Sequence, residues 1–171
     1  MTSARKPTPD IATLSRDGWV DCALDRFAED GVDKVLIAPL ARELGVTKGS
    51  FYWHFKNRQD LLDAMLMRWE SVGTLDIIEQ VEKEGGAADR RLRRVIDLSI
   101  EQVSARLEPA LRQWGRRDKT VREALRRVDE QRLNYLMDFS DSDDVLNLLA
   151  MTPFAFKASD ELLTQLKQQK Q

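Results

Sequence analysis

One cysteine and one histidine are all that 171 residues contain, and each scarcity removes a class of chemistry. Cys22 has no partner for an intrachain disulfide, which fits a reducing compartment. Placed on a helical pattern beside Trp19 and Ala23, it reads as a small core thiol. His54 alone cannot build an imidazole-based metal or catalytic cluster, so no metal and no cofactor are expected. No G-x-G-x-x-G, P-loop, H-E-x-x-H or G-x-S-x-G is present, and the many carboxylates sit among Lys and Arg on helical faces. An enzyme is therefore not expected. Apolar runs fall well short of the ~20 residues that span a bilayer, so no membrane association is expected. Residues 1–13 carry Pro7 and Pro9 and no apolar stretch, and read as a flexible arm rather than a secretory signal. Neither sign of charge dominates: 27 basic residues oppose 29 acidic ones, for a net charge of −2. The chain is no polycation, and a nucleic-acid partner would need a local basic surface.

What is present is almost wholly helical in period. A first helix is expected over Leu14–Glu29, with Trp19, Cys22, Ala23 and Phe27 on one face and Gly31 as its stop. A second begins near Ala38, with Pro39 in its first turn, and ends at Leu44–Gly45. A third spans Thr47–Phe55. A fourth starts at Asn57, with Asp60 as a carboxylate form of the capping box, and carries Leu62, Trp69 and Val72 in a stripe toward Glu84. Gly85-Gly86 ends it. Beyond lie a helix with Leu92, Val95, Ile96, Ile100 and Val103, a short one with Pro109, Leu111 and Trp114, and one from Val121 to Phe139. Arg122, Arg126, Arg127 and Arg132 are expected on the outer face of that last helix. Ser142–Asp144 looks like a cap for Val145–Met151, and Asp160–Lys170 reads as a final helix. The expected organisation is an arm at 1–13, a head at 14–60, a connecting helix at 61–86 and a helical domain at 87–171.

The richest stretch is Gly45-Val46-Thr47-Lys48-Gly49-Ser50-Phe51-Tyr52-Trp53-His54-Phe55. Two short helices around a Gly-containing turn make a helix-turn-helix, whose second helix can enter the DNA major groove. Thr47 can cap that helix, and its hydroxyl can also meet a phosphate. Lys48 can donate to guanine or phosphate, while Gly49 and Ser50 let the backbone approach closely. Phe51 and Phe55, four apart, should face inward, leaving Tyr52, Trp53 and His54 outward with polar tips for phosphate. Arg58 is expected to add a phosphate clamp at the start of the fourth helix. An aromatic run on a helix can also be plain packing, but one short face cannot bury five rings. Farther along, Arg90, Arg91, Arg93 and Arg94 form a basic run, read as a solvated face. Trp69, Ile100, Trp114 and Tyr135 can line a small-molecule cavity between helices, or simply belong to the core.

Residues 19–62 resemble the N-terminal domain of the TetR family of bacterial transcriptional repressors. The resemblance rests on Phe27-Ala28-Glu29-Asp30-Gly31, on Leu40-Ala41 with Gly45-Val46, on the Thr47–Phe55 block, and on Asn57-Arg58 with Leu61-Leu62. It implies an all-α homodimer with a three-helix DNA-binding head and a helical regulatory and dimerisation domain that takes a ligand. It also places Thr47, Lys48, Gly49, Ser50, Tyr52, Trp53, His54 and Arg58 at the operator. Two departures stand out. Leu36-Ile37-Ala38-Pro39 replaces the hydroxyl residue that often opens the second helix, and the segment after Val145 is short and polar where the family carries two long interface helices. The expectation is a cytoplasmic, nucleoid-associated repressor that binds a palindromic double-stranded DNA operator as a dimer and answers to a small-molecule effector. The alternatives are a helical DNA-binding or adaptor protein whose C-terminal domain serves assembly only, without an effector.

Overall fold

The computed structural model describes residues 14–101 and 104–137, and among them every regular element is helical. The chain divides between Arg68 and Trp69 into two units.

In the first unit, α1 (Arg16–Asp30) starts two residues later than its apolar pattern suggests, because Ser15 caps it: the Ser15 hydroxyl accepts the Gly18 N–H at 3.1 Å. Gly31, at φ +80°, stops it. A single 3₁₀ turn (Val32–Lys34) leads to α2 (Ile37–Glu43), α3 (Lys48–His54) and α4 (Arg58–Glu70). Asn57 Oδ1 accepts the Asp60 N–H at 3.0 Å, and the Asp60 carboxylate reaches back to the Lys56 N–H at 2.9 Å. This is the expected capping box, displaced one residue on its return bond. The core gathers Trp19, Phe27, Leu40, Phe51, Phe55 and Leu61, all but closed to solvent. Cys22 is only half-buried beside Glu43, so it is not the enclosed thiol its sequence position suggests. Burial and the neighbouring carboxylate still push its pKa up to about 11.

The turn between α2 and α3 is fully specified by its backbone. Gly45, at φ +67°, donates to the Arg42 carbonyl at 3.2 Å, while Val46 donates to the Ala41 carbonyl at 2.9 Å. Those two bonds are the Schellman closure of a helix, and they need a left-handed residue at position 45. A Cβ on Gly45 would meet nothing within 4 Å, so the demand is conformational rather than steric. Gly45→Ala is expected to cost about 1–2 kcal/mol, and Gly45→Asn less, in urea unfolding of the chain.

In the second unit, the stripe running toward Glu84 is interrupted. The run Ser71–Leu75 is a π-helical turn, closed by the Asp76 N–H on the Ser71 carbonyl, and it leads directly into α5 (Asp76–Glu84). Ser-Val-Gly-Thr is a string of weak α-formers, which makes the wider turn accessible. One extra residue rotates the downstream helix by about 100°, so Thr74 is buried and Leu75 faces out. Then come α6 (Ala88–Glu101), α7 (Ser104–Gly115) and α8 (Lys119–Met137), with α5 packed on α6 and α7 on α8. Pro109 lies inside α7, not at its start. Arg132 is a correction to the outward face drawn for α8: its side chain is 12% exposed and bonds inward. Val103, Phe139, Ser142–Asp144, Val145–Met151 and Asp160–Lys170 lie outside the described residues, as does the arm at 1–13. No helix among the described residues is long and apolar enough to cross a membrane.

Candidate nucleic-acid interface

The site is built from the interior outward. Phe51, in the middle of α3, is fully buried; its ring meets Trp19 of α1 edge-on at 5.3 Å and stacks on Phe55 at 5.2 Å. Arg16 lies over the other ring of that pair, 4.8 Å from the Phe55 centroid, a cation–π contact that sequence reasoning did not single out. With that face pinned, the helical period turns the residues on either side of Phe51 outward. Trp53 is 88% exposed and Tyr52 61%, large exposures for side chains of that size. Tyr52 nonetheless keeps an edge against Phe51 at 5.3 Å, which limits where its hydroxyl can swing. His54 is half-buried, its ring 6.4 Å from that of Phe55.

The start of α3 is equally open. Thr47 accepts the Ser50 N–H through Oγ1 at 3.3 Å, which leaves the hydroxyl proton free to donate outward. Lys48 and Gly49 are exposed and Ser50 half-buried. A Cβ at Gly49 would meet only Thr47 Oγ1, at 3.4 Å, so the protein itself has room for a side chain there. From Gly45 through Arg58 there is no carboxylate, while Lys48, Lys56 and Arg58 are cationic. The nearest acid on the preceding helix, Glu43, is held by Arg26 at 2.7 Å, and Arg26 also binds Asp30 at 2.9 Å. Those two carboxylates keep the Arg26 guanidinium pKa above its ordinary value. The electrostatic effect is local: a chain of near-zero net charge presents one turn-and-helix surface without acids.

Arg58 is engaged differently from the clamp drawn for it. Its Nε donates to the Val35 carbonyl at 2.6 Å and its Nη2 to the Val32 carbonyl. The guanidinium thus ties the 3₁₀ turn before α2 to the first turn of α4, a link of more than twenty residues that no local pattern announces. Leu36 occupies the N-cap of α2 and gives it no side-chain cap, in keeping with the missing hydroxyl.

Of the residues drawn as a small-molecule lining, Trp69 and Trp114 are buried, and Tyr135 packs partly buried against Ile77, Val81, Val95 and Leu98. The Tyr135 hydroxyl donates to Glu82 at 2.6 Å. Ile100 belongs to α6, but its side chain lies outside the described residues. Around Trp69 the second unit holds a buried polar group that sequence reasoning missed. Arg132 Nε donates to Thr74 Oγ1 at 3.1 Å and Nη1 to Glu108 at 3.4 Å, with the guanidinium 5.9 Å from the Trp69 ring. Arg112 bridges Glu108 at 2.6 Å and Asp129 at 2.9 Å. Trp69 Nε1, in a residue 2% exposed, has no hydrogen-bond partner. No cluster of three or more His, Cys, Asp or Glu among the described residues could hold a metal ion.

The family match falls on the first unit. Residues 20–65 match the family model described as bacterial regulatory proteins, tetR family. The class D tetracycline repressor protein of Escherichia coli is 40% identical over 55 residues, which is 32% of this chain and 25% of the repressor. The HTH-type transcriptional regulator AcrR of Shigella flexneri is 36% identical over 83 residues, 48% of this chain and 38% of AcrR. The matches thus span well under half the length of these relatives. Among solved structures, the fatty acid degradation regulator FadR of Bacillus halodurans shares the fold, with a TM-score of 0.57 and 21% identity over 79% of this chain and 68% of FadR. The helix-turn-helix unit of this chain is thus similar to the tetR family of bacterial regulatory proteins.

Proposed function

We propose that this protein is a DNA-binding transcriptional regulator, a repressor that grips a palindromic operator as a homodimer in the bacterial cytoplasm and releases it when a small molecule binds the second unit. One observation carries the reading: α3 is locked to its core by Phe51 while Lys48, Tyr52 and Trp53 stand open on its other side. The major groove admits a helix, and these side chains offer an ammonium, a phenol and an indole N–H to phosphates and base edges. Thr47, Gly49, Ser50 and His54 complete the surface. Arg58 acts by fixing the turn before α2 rather than by clamping phosphate with the N–H groups it has already committed. Two copies of α3, about 34–36 Å apart, would read successive major grooves. The tetracycline and AcrR relatives, a repressor and a transcriptional regulator by name, support the regulatory half.

The effector half is supported by the Trp69 cluster. A buried indole N–H without an acceptor beside a buried arginine suits a ligand bearing a carbonyl or carboxylate. An effector shifts operator affinity only if it binds one conformation better than the other, and the π turn, a feature common at functional sites, adjoins that cluster through Thr74.

Selection of bound fragments from the source genome, followed by Lys48→Ala and Tyr52→Ala, tests the reading. Each variant is expected to lose about 1–3 kcal/mol of specific binding. A lysine that meets phosphate should also flatten the salt dependence by about one unit of slope. Fragments without a shared motif, or a selected motif bound equally well by both variants, would refute DNA reading by α3. A ligand panel that never shifts operator affinity would leave a constitutive DNA-binding protein.

A further inference from the structure

The second unit also carries a cleft of about 350 Å³ where the end of α5 meets the first turns of α6. Arg90, Arg91, Arg93 and Arg94 line it, with Glu84 and Asp97. The four arginines are not equivalent. Arg91 Nη1 meets both carboxylate oxygens of Glu82 at 3.0 Å, and Arg94 Nε meets Glu84 at 3.0 Å. These two ion pairs join the helices and cancel their own charges. Hydrogen bonds from Arg94 and Gln80 hold the Glu84 carboxyl below its usual range, so that acid stays ionised and occupied.

Arg90 and Arg93 differ. Both are exposed, and neither makes an ion pair with any described carboxylate. They are three apart on one helix, so their stems rise from neighbouring positions about 5–6 Å apart. Arg90 is also seated: Gly86, at φ +113°, leaves the space its stem fills, and a Cβ there would come within 3.3 Å of Arg90 Cδ. Asp97, four residues past Arg93 on the same helix, also lines the cleft.

From this we infer a binding site for a small molecule bearing two adjacent phosphate groups. Two guanidinium forks at that spacing can each take one phosphate through paired N–H···O bonds. The cleft lies at the low end of small-ligand volumes, which suits a compact anion rather than a nucleic-acid duplex. This site shares no residue with α3 or with the Trp69 cluster, and its test does not involve operator DNA.

Titration of the full chain with inorganic pyrophosphate, read by calorimetry and by melting temperature, decides it. Saturable one-site binding is expected, weakening as salt rises. Arg90→Gln with Arg93→Gln should weaken it about 10-fold or more, the loss of two charge-assisted contacts. Arg126→Gln, which alters an exposed arginine on α8 paired with Glu130, should leave it intact. Both sets of changes are on the surface, so the unliganded melting temperature should hold. Absence of saturable binding at millimolar pyrophosphate overturns the inference. So does an equal loss in Arg126→Gln, or binding of heparin with none of pyrophosphate, which marks a diffuse polyanion surface.

Discussion

Phe51→Ala should destabilise the first unit by about 3–5 kcal/mol and abolish DNA binding with it. The ring is 0% exposed and its loss leaves a cavity between Trp19 and Phe55, two large neighbours that cannot both move into it. A penalty of that size consumes much of the 5–15 kcal/mol that holds a typical domain together. The informative comparison is two residues away. Trp53, at 88% exposure, has little to lose on truncation, and Trp53→Ala should change stability by no more than about 0.5 kcal/mol. Denaturant unfolding and DNA titration of both variants separate anchoring from contact. The expected pattern is one variant that loses stability and binding together, and one that keeps its fold while its DNA affinity falls. A Trp53→Ala protein with unchanged affinity for a selected fragment would remove that indole from the interface. A Phe51→Ala protein that unfolds at wild-type denaturant would show that α3 is not held by its buried face.

This division was legible in the chain because it is local. Phe51 and Phe55 recur at helical spacing, Gly45 marks a left-handed turn, and a seven-residue helix has room to hide only one side. The all-α class comes from the same periodicities. What escaped were links between positions distant in sequence. Arg58 reaches backbone carbonyls of Val32 and Val35, and a carbonyl advertises nothing in a sequence. Arg132 looked like its solvated neighbours on α8, since i, i+4 patterns of charge cannot tell which arginine meets a buried Glu108 on another helix. The π turn at Ser71–Leu75 escaped because a stripe counted at 3.6 residues per turn continues on paper through an inserted residue. Within it Thr74 is buried and Leu75 is exposed.

Arg132→Met is expected to cost the second unit about 3–5 kcal/mol, as much as the loss of a core ring, although it replaces one long side chain by another. The reason is electrostatic. In the native protein two guanidiniums, Arg112 and Arg132, serve two carboxylates, Glu108 and Asp129, with the Glu108 side chain only 8% exposed and that of Asp129 12%. With Arg132 gone, Arg112 alone serves both, and the buried cluster carries one negative charge in excess. Thr74 also loses its donor, which frees the one buried hydroxyl on the π turn. If the cost is charge rather than shape, a second change should return most of it: Arg132→Met with Glu108→Leu removes the orphan acid and restores an apolar filling. Urea unfolding followed by tryptophan emission, with Trp69 beside the altered residue, reads both steps. Rescue by the double variant identifies a network that costs little as a whole and much when half of it is removed. Failure of rescue would mean that Arg132 acts mainly through its stem, packed over Trp69 and irreplaceable by methionine.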